Sequence, residues 1–310
     1  MADRLLTALL FASVLFTSCS TQKGWVVTQQ AEGVFIGQGR DRVLFYQRLP
    51  HAADGEYARA HYIHPLYSLH NTVLTENMPK DHPHHHGIFW AWHQNYVGEK
   101  SVGDAWALEN FSWEVTKADV DRSSSLCVLH TEVFWKSPLW RNEQGAEKPF
   151  VKEISDITIH KAKENYRVID FRIEIQALEA GFQIGGSTDA KGYSGFSWRI
   201  HLPDELTFTG NRGEVQPQNL ALDAGPWMNI SGNLDGQGGG EGVLVIDHPD
   251  NPGHPQPWIL RSKNSMQNAA FPGREKIAIE PDEPLVLRYR MVVYDGSLSR
   301  EQIDQLVASQ

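Results

Sequence analysis

The sequence predicts an all-β fold, a large antiparallel β-sandwich closed by a short C-terminal helix. Three observations predict it. Runs of alternating apolar and polar residues recur along the chain, turn-forming residues separate them, and helical periodicity is scarce before the last dozen residues.

The first residues, MADRLLTALLFASVLFTS, belong to no strand. Arg4 supplies a positive charge, and Leu5 to Phe16 form an apolar run too short to span a bilayer as a mature helix. Small residues Thr17 and Ser18 then precede Cys19. This order resembles a bacterial lipoprotein signal. It implies a leader over residues 1–18, lipidation at Cys19, and a single β-sandwich domain over 19–310 held outside the cytoplasm, in the periplasm or at the outer membrane. Cys127 is the other cysteine, so the processed chain has no intrachain disulfide and depends on its core. No later stretch reaches transmembrane length, so the expected membrane contact is the lipid alone. A net charge of -10 and a pI near 5.8 argue against a nucleic-acid partner, which needs a basic face.

The strands follow in order as RVLFYQ, SLCVLHTEVFW, KEISDITIHK, YRVIDFRIEIQAL, GVLVID and EPLVLRYRMVVYDG. In the fourth, Val168, Asp170, Arg172 and Glu174 share one face, and Ile169, Phe171, Ile173 and Ile175 the other. KAKEN before it reads as a polar hairpin loop between antiparallel neighbours, and NLDGQGGGEG as a glycine-rich surface loop without the spacing of a phosphate cradle. Ser299 stands three residues before Gln302, the order of a capping box, and starts the helix.

Chemistry concentrates in DHPHHHGIFWAW, Asp81 to Trp92. If HPHHHG is extended, His82, His84 and His86 point one way and His85 the other. Neutral imidazoles at that spacing suit a metal, with His82 and His84 the first pair and His64, Glu76 or His248 as a third ligand. The same rings suit proton transfer, with Asp81 orienting one of them, and Trp90 and Trp92 offer a wall for a sugar's C–H face. A second constellation, DHPDNPGHPQPW, contributes His248, Asn251, His254 and Trp258. A third, DAKGYSGFSWRIH, contributes Lys191, Tyr193 and Arg199. The paired carboxylates of an ordinary glycosidase do not emerge, since Glu153 and Asp156 fall on opposite faces of a strand. A G-x-S-x-G nucleophile elbow is absent.

HYIHPLYS, DHPHHHGIFWAW, DAKGYSGFSWRI, DHPDNPGHPQPW and LRYRMVVYDG occur in the order of a bacterial domain family of unknown function, often labelled "methane oxygenase PmoA", which the mature chain resembles over nearly its whole length. The methane monooxygenase subunit of that name is an integral membrane protein, and nothing here after the leader spans a membrane. The resemblance implies a secreted or lipid-anchored protein of carbohydrate-degrading bacteria, with a design similar to the galactose-mutarotase-like supersandwich. Its matched positions are His64, Asp81, His82, His84, His85, Lys191, Arg199, His248, Asn251 and Trp258. Many relatives carry arginine where this chain has His86, which implies a hydrogen-bonding or cationic contact there rather than a metal ligand.

Together these readings lead us to expect a carbohydrate-processing enzyme with no required cofactor. His84 or His85 would act as general acid/base with His248 as partner, and Lys191 would stabilise negative charge on oxygen together with Arg199. Trp90 and Trp258 would stack on the sugar, with His64, Asp81, His82, His86, Arg199 and Asn251 as further contacts. Cleavage of a glycoside or keto-sugar by hydrolysis or by elimination suits a site without a carboxylate pair. A non-catalytic glycan-binding lipoprotein and a histidine-ligated metalloenzyme are the competing classes.

Overall fold

The computed structural model describes residues 24–234, 236 and 238–310. The leader and Cys19 lie outside the described residues.

Two large antiparallel sheets make the body of the protein. One has eight strands in the order 25–29, 33–38, 41–47, 62–66, 88–92, 194–198, 267–270 and 258–259. The other has nine, in the order 112–122, 126–136, 151–160, 166–177, 285–295, 241–247, 227–232, 207–210 and 213–214. The sheets enclose one core that draws side chains from both, as a face-to-face sandwich does. A four-stranded sheet and a two-stranded hairpin sit beside them.

Alternation in sequence becomes sidedness. Ile169, Phe171, Ile173 and Ile175 are at most 2% exposed, while Asp170, Arg172 and Glu174 face outward. Residues 161–165 connect two strands paired antiparallel from Val151↔Ala177 to Ile159↔Ile169. Glu153 points into the core and Asp156 away from it. The helix Arg300–Ala308 begins on a capping box, in which Ser299 accepts from the Gln302 backbone and the Gln302 side chain accepts from Ser299 N–H. Among the described residues no helix is long and apolar enough to cross a membrane.

Inside the sandwich the strand Ile88–Trp92 is buried on both faces. Trp90 and Trp92 point between the sheets, where Trp90 Nε1 donates to Glu153 Oε1 at 2.9 Å and Trp92 packs on Trp135. Phe89 points to the other side and meets Trp106 and the Arg59 guanidinium. A loop layer over the outside of the eight-stranded sheet therefore covers that face. The candidate site lies in this outer layer.

Two expectations are corrected here. Trp90 is 2% exposed and Trp258 0%, and their indole N–H groups are used inside the protein, Trp258's on the Gly225 carbonyl at 2.7 Å. Neither ring has a face to offer a sugar; they fill the core.

Candidate functional site

The histidine stretch is a turn, not a strand. His82 N–H bonds to Pro79 O, His85 N–H to His82 O and Met78 N–H to His85 O, which curls residues 79–85 back on themselves. Pro83 fits a turn better than a sheet interior, since it has no N–H for a ladder. Gly87 then lets the chain enter the strand: its φ is +35° and a Cβ there would lie 2.0 Å from the Ile63 carbonyl oxygen.

Curling replaces the expected alternation with a cluster. His82 and His85, three apart, stack in parallel with centroids 4.6 Å apart. His84 meets His85 edge-on at 4.5 Å and His82 at 5.8 Å. Ring faces and edges meet here rather than nitrogens around a common point. Among the described residues no three His, Cys, Asp or Glu side chains converge as a metal's ligands would.

Arg199 fastens this turn to the sheet. Its backbone N–H bonds to Gly87 O and its carbonyl accepts from Glu76 N–H. Its side chain, 2% exposed, donates through Nε to Glu76 Oε2 at 2.6 Å and through Nη2 to both Asp81 oxygens at 3.0 and 3.2 Å. Nη1 lies 3.4 Å from His85 Nδ1, which must accept and so leaves that ring's proton on Nε2. Arg199 is thus enclosed rather than set against a ligand. Burial raises the Asp81 carboxyl, but the bonds from His82 and Arg199 outweigh it and hold the group below its ordinary range.

Asp81 in turn accepts from His82 Nδ1 at 2.8 Å, leaving His82 Nε2 with no protein partner among the described residues. A second pair of the same design stands nearby. His93 Nδ1 donates to Asp104 Oδ2 at 2.8 Å, and Asp104 Oδ1 takes the backbone N–H groups of Trp106 and Ala107. His93 stacks on Trp106, and Trp106 packs on Tyr193, each at 5.4 Å. His82, His84 and His85 on one side and His93, Trp106 and Tyr193 on the other border one cleft of about 320 Å³. Lys191, ion-paired with Asp189 at 3.4 Å, sits at its rim. A further depression of about 340 Å³ shares His93 with it and is lined by Asp104 as well. Trp106 is 3% exposed and stiffens the wall, while Tyr193 is half-buried and held through its hydroxyl by Arg261 at 2.6 Å.

His84 and His85 are neutral at physiological pH. Burial pushes His84 down to about 4, helped by His82 and Arg59, and His85 to about 2, helped by His84 and His82. A general acid must hold its proton until the reaction, so neither ring suits that part; both suit hydrogen bonding to hydroxyl groups. His64, pushed to about 4 by burial and His51, lies 2.9 Å from Thr75 Oγ1 outside the cleft. His86 is 0% exposed, pushed to about 2 by burial and Arg59, and is enclosed by Asn77 Oδ1 at 2.8 Å and the Tyr57 carbonyl at 3.2 Å. The expectation of a ligand contact at His86 is corrected: it is a buried strut.

The second DHP loop does not join this cleft. Asp247, 1% exposed, accepts from Asn251 Nδ2, Gln256 N–H and His254 Nδ1 at 2.7–3.0 Å. Asn251 pairs with Arg288 as a strand would, taking its N–H at 2.7 Å and donating to its carbonyl at 2.6 Å. Asn251 is 4% exposed and occupied by these bonds, so it holds the loop rather than a ligand. His248 opens on the outside of the nine-stranded sheet, beside Arg288 and Arg290. It is therefore no partner for His84 or His85, which lie outside the opposite sheet.

Of the residues expected from the sequence, His82, His84, His85 and Lys191 border one cleft, with Asp81 bonded to His82, while His93, Asp104 and Trp106 were not singled out. The signal was present but thin: a histidine directly after an aromatic strand, with D-x-W eleven residues later. No curated protein matches the chain. Residues 35–308, which hold the whole nine-stranded sheet, the eight-stranded sheet from its second strand onward and every side chain of this cleft, match the model described as Family of unknown function (DUF6807), and to that family the chain belongs.

Proposed function

We propose that the protein is a carbohydrate-processing enzyme that works by histidine acid/base chemistry in the cleft between His82 and His93. One observation carries this reading: two Asp–His pairs, each at 2.8 Å, border the same cleft together with an aromatic wall. An aspartate on Nδ1 fixes the tautomer and leaves Nε2 to take or give a proton. One pair serves as base, on water or on a C–H next to a sugar carbonyl, and the other delivers a proton to the leaving oxygen. Neutral His84 and His85 hold hydroxyl groups, and Lys191 at the rim offsets negative charge that develops on oxygen. Arg199 acts through Asp81. The neighbouring depression that shares His93 supports a ligand longer than one ring.

Two finer readings accompany this one. The face-to-face pair of large antiparallel sheets supports a galactose-mutarotase-like supersandwich, although fold alone does not fix function. The residues before Trp25 support a lipid anchor at Cys19 in an extracytoplasmic location.

The test is turnover of a panel of glycosides and keto-glycosides, read by mass spectrometry. His82→Ala and His93→Ala each lower product formation by about a hundredfold or more. Full activity in both variants overturns the proposal. Binding without turnover of any member, lost in Tyr193→Ala, favours a glycan-binding protein instead.

A further inference from the structure

The DHPDNPGHPQPW loop builds something of its own. Asp247 staples the loop internally, and Asn251 locks it onto the backbone of Arg288, so His248 is held rigidly above the outer face of the nine-stranded sheet. Beneath it is a depression of about 280 Å³.

Strand register sets the floor of that depression. Asp156, Arg172 and Arg288 stand opposite one another on three neighbouring strands, and Thr158, Asp170 and Arg290 form the next row. The second row is internally neutral: Arg290 holds both Asp170 oxygens at 2.6 and 3.0 Å, and His160 bonds to Asp170 at 2.8 Å. Asp156 is taken by His130 Nδ1 at 2.7 Å.

The first row is not balanced. Arg172 and Arg288 are like charges placed directly opposite, an arrangement that destabilises a sheet unless an anion lies near both. Arg172 has Asp156 opposite it on one neighbouring strand and bonds to Glu174 along its own, so the row's open positive charge lies on the Arg288 side. The Arg288 guanidinium makes no hydrogen bond among the described residues. Its carboxylate neighbour is Asp250 at 4.0 Å, itself 69% exposed. An exposed pair at that distance contributes little.

We propose that this depression is a second binding site, separate from the histidine cleft, which takes the oxyanion of a charged, hydroxylated ligand between Arg172 and Arg288. The planar guanidinium forks suit a carboxylate or a sulfate ester. Thr158 and His248 line the same depression and offer partners for the ligand's hydroxyl groups. A sugar acid or a sulfated sugar has this chemistry.

The test is calorimetric titration of the full chain with glucuronate, glucose 6-sulfate and glucose. The two charged sugars bind, glucose does not, and added salt weakens the binding. Arg172→Gln and Arg288→Gln each weaken it by about tenfold, with unchanged thermal midpoints, while His82→Ala leaves it as it was. Preference for glucuronate assigns a carboxylate, and preference for the ester assigns a sulfate. Failure of both charged sugars to bind, or equal binding by the folded arginine variants, overturns the proposal.

Discussion

His61 and Glu153 meet at 2.7 Å in the space between the two sheets, 1% and 0% exposed. Glu153 also accepts from Trp90, Trp135 and Ser155, and Tyr46 hydroxyl lies 2.7 Å from His61 Nδ1. Burial raises the Glu153 carboxyl, but the His61 charge and these bonds outweigh it and hold the group below its ordinary range. Removing one partner of a buried pair strands the other, so Glu153→Gln lowers stability by about 3–5 kcal/mol in denaturant unfolding. The depressed carboxyl also gives the sign with pH. Its contribution is complete above the unfolded value of about 4.3 and is lost as pH falls through the folded one.

Acid sensitivity begins earlier because of the histidines. His64 and His84 at about 4, and His85 and His86 at about 2, must all take up protons on unfolding below about 6.5. Stability is therefore fully present above that value and falls as pH drops through the window towards the folded values. His86→Asn, by removing one of these groups, flattens the slope between pH 6 and 4 by up to about 1.4 kcal/mol per pH unit. Urea midpoints at several pH values measure it.

Arg199→Ala removes the fork that joins Glu76, Asp81 and the histidine turn. Loss of the charged hydrogen bonds costs about 2–3 kcal/mol, and the amides of residues 82 and 85 exchange faster with deuterium. Arg199→Lys does not restore the protection, because an ammonium is a point charge and cannot span both carboxylates.

The aromatic residues separate into two kinds. Trp258→Ala, at a fully buried position, costs about 3–5 kcal/mol. Tyr193→Ala, at the half-buried wall, weakens carbohydrate binding by about tenfold and unfolds at nearly the parent midpoint. Equal stability losses in the two variants would contradict the assignment of Tyr193 to the cleft wall.

Sidedness was legible wherever one face of a strand meets water, as from Tyr166 to Ala177, because a period of two then separates core from surface. It was not legible in IFWAW, where both faces are covered and composition is apolar throughout. That is why Trp90 passed for a sugar platform. The histidine cluster was legible as chemistry but not as geometry, since a turn and a strand place the same residues differently. Arg199 reaches Asp81 across 118 positions of sequence, a contact that no local pattern encodes. The two DHP motifs look alike in the sequence, yet one is held by a side chain and the other by a backbone clamp, so likeness of motif did not mean one site.

Placing the two openings on opposite outsides of one sandwich makes the molecule two-headed. A short oligosaccharide seated in one cannot touch the other, so neither head completes the other's chemistry. A long polymer gripped by the arginine head would be presented to the histidine head only by a distant segment or a neighbouring strand of the same material. With both proposed sites in use, such a protein would act on a meshwork differently from dissolved fragments.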